Sequence, residues 1–105
     1  MSKSKLVTTF KQNNDTYSIR ISNHAMQRLD ERKLSYKNVI KDILSLTFTE
    51  FKNLQAKNKD IMFINLKKDY STVICFNKNK LIIKTVINKS NDIEVYGDTF
   101  VRIIE

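Results

Sequence analysis

Apolar and polar residues alternate along 5–11 and 16–22, with Leu6, Thr8 and Phe10 in the first run and Tyr17, Ile19 and Ile21 in the second. Period-two alternation on both sides of the turn-forming Asn13-Asn14-Asp15 predicts a β-hairpin. Ser22 or Asn23 can then cap a helix running to about Arg32. A second helix is expected after Ser35, its N-cap, because Tyr36, Val39, Ile40, Ile43 and Leu44 recur at i, i+3, i+4, i+7 and i+8. Lys37, Asn38, Lys41 and Asp42 fill the opposite, polar face.

After Leu46 the pattern changes to short β-rich runs. Residues 61–66, 72–76 and 81–87, separated by Lys-Lys-Asp and Asn-Lys-Asn turns, read as a meander. Their near-continuous apolarity suits central strands covered by the helices on at least one face. Residues 93–96 and 99–104 flank Gly97-Asp98 as another hairpin-type turn. The expected order is ββααββββ, an α+β fold with helices segregated before an antiparallel sheet. Residues 1–4 read as a flexible N-terminus and 5–105 as one domain, since two cores in 105 residues would each be too small.

Composition narrows the setting. Hydrophobic residues make up 41% of the chain, enough for one ordinary core. The apolar runs fall far short of the roughly 20 residues that span a bilayer, so no membrane partner is expected. The first ten residues carry two lysines with no apolar stretch behind them, which predicts no secretory signal. A single cysteine, Cys75, has no internal disulfide partner and no companions for a Cys/His metal cluster. A cytoplasmic protein with neither metal nor cofactor is expected. With no proline and one glycine, the turns must rest on Asn, Asp and Ser.

Net charge is +8, which favours RNA or another polyanion through counterion release. A chain rich in Lys, Asn and Ile would also arise from AT-rich coding alone. Distribution shifts the balance: nine lysines but only Asp60 and Asp69 as acids lie between Lys52 and Lys89. Lys67, Lys68, Lys80 and Lys84 of that run, with Arg102 as the lone charge of Phe-Val-Arg-Ile-Ile, are the candidate nucleic-acid contacts. A solvated lysine-rich face is the competing reading.

On a helical wheel the first helix buries Ala25, Met26 and Leu29. His24 and Arg28 lie one turn apart, Glu31 sits beside them, and Arg32 falls at the edge of the buried stripe. An imidazole and two guanidiniums in a row can move a proton and stabilise a phosphorane. Spacing alone leaves open a simpler reading, with His24 as a cap or packing residue and Arg28–Glu31 as a surface ion pair.

The stretch SNHAMQRLDERKLSYKNVIKDIL resembles the H-A-x-x-R-x-x-E-R signature and following S-x-x-x-V-x-x-x-L helix of a family of small uncharacterised domains. That family is similar to the RelE/ParE-type and BrnT-type toxin ribonucleases. His24, Ala25, Arg28, Glu31 and Arg32 match in order and spacing, and Ser35, Val39 and Ile43 continue the match. LIIKTVI resembles the family's strand ending in a Thr-Val pair, at Thr85-Val86. The likeness spans roughly residues 17 to 88. Where the family usually carries glycine after its Glu-Arg pair, this chain has Lys33.

The resemblance implies a RelE/BrnT-like toxin fold and RNA cleavage without metal, with the substrate's 2′-hydroxyl as nucleophile. His24 would be general base or acid, Arg28 and Arg32 would bind the scissile phosphate, and Thr85 would hydrogen-bond a phosphate oxygen, with Lys84 near the same site. An antitoxin is the implied protein partner. A second reading keeps the fold without the chemistry: a nucleic-acid binder, or an inhibitor of a nucleic-acid-processing machine of the kind that phages and mobile elements encode. A third is an interaction protein whose basic face keeps it soluble.

Among the remaining residues, Tyr70 and Tyr96 are candidates for base stacking or for the core edge. Phe48, Phe51, Phe63, Phe76 and Phe100 read as core, and Cys75 as a buried, inert thiol.

Overall fold

The computed structural model describes residues 4–95 and 97–105. The hairpin forms as expected: β1 (Ser4–Gln12) pairs antiparallel with β2 (Asp15–Ser22). Asn13 and Asn14 take φ of 53° and 76°, the left-handed pair that a tight hairpin turn demands. Ser4, expected within a flexible end, is the first residue of β1, and its hydroxyl and carbonyl oxygens both accept from Arg20 at 2.9 Å. Residues 1–3 of that expected segment lie outside the described residues.

Helix α1 (Asn23–Glu31) begins where the sequence places it, because the Ser22 hydroxyl accepts the Ala25 N–H at 3.1 Å. Its end shows what Lys33 does in place of glycine. Lys33 adopts φ 54°, and Leu34 N–H reaches back to the Leu29 carbonyl at 3.0 Å. This is the glycine-type helix stop, built with a lysine whose Cβ disfavours it by roughly 1 kcal/mol. Helix α2 (Tyr36–Ile43) follows from its Ser35 cap and buries Val39 and Ile43.

The expected β-rich run after Leu46 is corrected by a third helix, α3 (Phe48–Lys57). Thr47 and Glu50 close a capping box: Glu50 N–H donates to the Thr47 hydroxyl at 3.1 Å, and Thr47 N–H donates to the Glu50 carboxylate at 2.9 Å. Phe51 and Leu54 point inward at helical spacing. Phe51 meets Tyr17 and Phe76 edge-on, with centroids 4.7 and 5.4 Å away. Phe48, expected in the core, is 38% exposed under the Lys52 ammonium.

Strands β3 (Ile61–Asn65), β4 (Tyr70–Asn77) and β5 (Lys80–Ile87) form the expected antiparallel meander, and β6 (Phe100–Ile104) completes a six-stranded sheet ordered β1-β2-β5-β4-β3-β6. The sheet is mixed rather than antiparallel. β5 lies parallel to β2, and β6 lies parallel to β3 at the far edge. The expected hairpin about Gly97-Asp98 is therefore corrected: residues 93–95 are not a strand, and the chain crosses the sheet before β6 begins.

Tyr17, Ile19, Ile21, Ile61, Phe63, Ile74, Phe76, Leu81 and Ile83 share the sheet face on which Ala25, Leu29, Val39, Ile43, Phe51 and Leu54 of the helices pack. This α+β arrangement places all three helices over one side of the sheet.

Candidate nucleic-acid interface

Helix α1 leaves β2 directly and carries its residues in the expected order. Ala25 and Leu29 are buried, His24 is exposed, and Arg28 and Arg32 are half-buried. Arg28 reaches Glu31 at 3.4 Å, and Gln27 holds the other oxygen of Glu31 at 3.2 Å. That pair is 42% and 48% exposed, so it tethers Arg28 weakly and leaves its remaining donors to solvent. Arg32 Nε is buried without a hydrogen-bond partner, an uncompensated donor on a cation.

Ser22 ties the start of this helix to β5. While its oxygen caps α1, its hydroxyl donates to the Lys84 carbonyl at 2.9 Å. Lys84 is the extra residue of a bulge, since Ile74 pairs with Ile83 while Val73 pairs with Thr85. The first turn of α1 is thus held beside the segment that carries Lys84 and Thr85.

The other candidates are dispersed. Thr85 lies opposite Val73, on the sheet face away from the core cluster, and no hydrogen bond among the described residues joins it to His24 or Arg28. Lys84 pairs with Asp60 at 3.1 Å. Arg102, a candidate nucleic-acid contact, is instead ion-paired with Glu50 of α3. Glu50 is held below the usual carboxylate range chiefly by the Thr47 backbone N–H, with burial opposing and Arg102 adding to the effect. Lys67 and Lys68 occupy the β3–β4 turn and Lys80 the β4–β5 end. An eight-residue β4 separates those ends by about 25 Å, so they cannot meet one phosphate.

A second polar constellation was not legible as a site. Asp42, assigned to the polar face of α2, is only 4% exposed. Its carboxylate accepts from Asn65 Nδ2 at 3.1 Å on both oxygens and from Tyr70 Oη at 2.6 Å. Tyr70 is buried, which excludes base stacking, and burial with the Asp42 bond pushes its hydroxyl far above the ordinary tyrosine range. Asp42 and Asn65 floor a cavity of about 370 Å³ rimmed by Lys41, Lys67 and Lys68. The aspartate at i+3 from Val39 and the asparagine ending a buried strand were the only hints available.

Cys75 is half-buried rather than enclosed, and burial raises its thiol above the ordinary value against a smaller opposing effect of Lys84. Tyr96 lies outside the described residues. Among the described residues no three His, Cys, Asp or Glu side chains group closely enough to hold a metal ion, and no helix is long and apolar enough to cross a membrane.

No family model, no curated protein and no solved structure matches the chain.

Proposed function

We propose that the protein is a toxin-like, metal-independent endoribonuclease that grips RNA along the outer edge of α1. The observation that carries the reading is the line of exposed His24, half-buried Arg28 and half-buried Arg32 along one edge of the helix. A phosphate is the anion that guanidinium donors along such an edge favour. The surrounding chain carries a net charge of +8, which draws an RNA backbone to the edge.

In this reading the 2′-hydroxyl oxygen attacks the adjacent phosphorus as the bond to the 5′-oxygen breaks, leaving a 2′,3′-cyclic phosphate and a free 5′-hydroxyl. His24, the only histidine, either takes the 2′-hydroxyl proton or supplies the proton to the leaving oxygen, with water serving the other transfer. Arg28 and Arg32 neutralise charge building on the phosphorane. Thr85 serves phosphate binding only if RNA passes the rim where Ser22 meets Lys84.

A second reading is favoured by Thr85 lying on the opposite sheet face and by the spread of lysines to both sheet ends: a non-catalytic binder or blocker of a nucleic-acid-processing machine. Mixed RNA incubated with purified protein in excess chelator separates the two. Cleavage by the wild type that His24→Ala and Arg28→Ala each reduce by about 100-fold or more is the expected result. Binding without cleavage supports the second reading, and equal cleavage by both variants refutes the α1 site. Growth arrest on expression, relieved by an adjacent open reading frame, would add the toxin–antitoxin context.

A further inference from the structure

The sheet ends in two unlike edges. β1 carries Lys5, Lys11 and a bulge between Leu6 and Thr8, which are devices that keep a free edge from pairing. β6, only five residues long, has neither a lysine nor a bulge. Its one charge, Arg102, is matched by Glu50. Phe100 N–H donates to the Asp60 carbonyl at 3.0 Å, and the Ile104 carbonyl accepts from Leu66 at 2.9 Å. Both backbone groups of one residue point the same way in a parallel ladder, so Val101 and Ile103 turn theirs outward, away from β3. Their side chains fall on the sheet face opposite the helices. There Ile103 is 54% exposed, beside Leu66 at 47%.

We infer that β6 is a self-association edge on which a second copy of this chain docks antiparallel, about a twofold axis at Arg102. In that register Val101 faces Ile103 of the second copy, and each such pair exchanges both of its backbone hydrogen bonds. The apolar side chains meet on one face. On the other face Arg102 lies opposite its own symmetry mate, a contact that costs energy unless carboxylates intervene. Glu50 supplies them: its side chain is 32% exposed beside Arg102, so the two guanidiniums and two carboxylates alternate in charge across the axis. This charge complementarity fits a second copy better than an unrelated strand. The inference stands apart from any activity at α1.

A five-residue strand buries little area, so the dimer is weak, with a dissociation constant of about 10–100 μM. Two chains of charge +8 repel at long range, and association tightens as salt rises from about 0.05 to 0.5 M. Sedimentation velocity of the full chain across that concentration range is the test. Ile103→Lys, at an exposed position, is expected to weaken dimerisation at least about tenfold with unchanged thermal unfolding. Val101→Pro removes only an outward N–H and is expected to act alike. A wild type that stays monomeric to about 1 mM, or an Ile103→Lys variant that dimerises as well as the wild type, overturns the inference. A monomer that instead captures an acidic extended peptide at this edge overturns the choice of occupant.

Discussion

Replacing Tyr70 with Phe removes one oxygen and keeps the shape of a side chain that is 1% exposed. What it takes away is the 2.6 Å bond to Asp42, the shortest that this buried carboxylate accepts. The bonds that remain both come from one nitrogen, Asn65 Nδ2, shared between the two oxygens at 3.1 Å. A donor lost to a buried charged acceptor costs about 1.5–3 kcal/mol. For 105 residues the entropy of unfolding is about 0.22 kcal/mol/K, which converts that loss to a fall in Tm of roughly 7–14 °C. Thermal unfolding followed by circular dichroism reads the shift, and urea titration with an unchanged slope assigns it to the folded state. The double-mutant cycle is the sharper assay. In an Asp42→Asn background the acceptor is neutral, and the cost of Tyr70→Phe is expected to drop to about 1 kcal/mol or less. A Tm shift under about 3 °C, or an equal loss in both backgrounds, would refute the claim that the Tyr70–Asp42 bond stabilises this buried cluster.

Lys33→Gly relieves the left-handed backbone at the end of α1 and is expected to raise stability by about 0.5–1 kcal/mol, or roughly 2–5 °C in Tm. Glu50→Gln weakens both the capping box and the Arg102 pair, costing about 1 kcal/mol at neutral pH. Because the folded Glu50 lies below its ordinary value of 4.5, its contribution is present above that value and fades as pH falls through the depressed one. Wild type and variant should accordingly converge in urea titrations on the acid side, and a constant gap would contradict the assignment. Cys75 should react with a thiolate-directed reagent at neutral pH many times more slowly in the folded chain than in urea, since burial disfavours its thiolate. Equal rates would refute that.

The elements that were legible carry local signals. The Asn13-Asn14 turn, the Ser22 and Ser35 caps and the apolar faces of α1 and α2 are each written within a stretch of about ten residues. Helix α3 also carries a local signal, the Thr47-x-x-Glu50 box and the spacing of Phe51 and Leu54, but its phenylalanines and threonines have strand propensity, which weakens it. The parallel neighbours of β2 and β3 carry no local mark, because strand order is decided by packing across the whole sheet. At the candidate site, the alignment of His24, Arg28 and Arg32 followed from the 3.6-residue period. The capture of Arg102 by Glu50, and of Asp42 by Asn65 and Tyr70, depended on which helix lies over which strand.

The Ser22 hydroxyl that caps α1 also clasps the Lys84 carbonyl, across 62 positions of chain. The β2–β5 pairing beside it is as remote in sequence, joining Ile19 to Leu81. Contacts so distant close a large loop before any gain is made, which is the topology of slow folders. During synthesis all three helices leave the ribosome before β5 exists to receive them. The basic edge of α1 is therefore expected to be anchored late, only once β5 has been made.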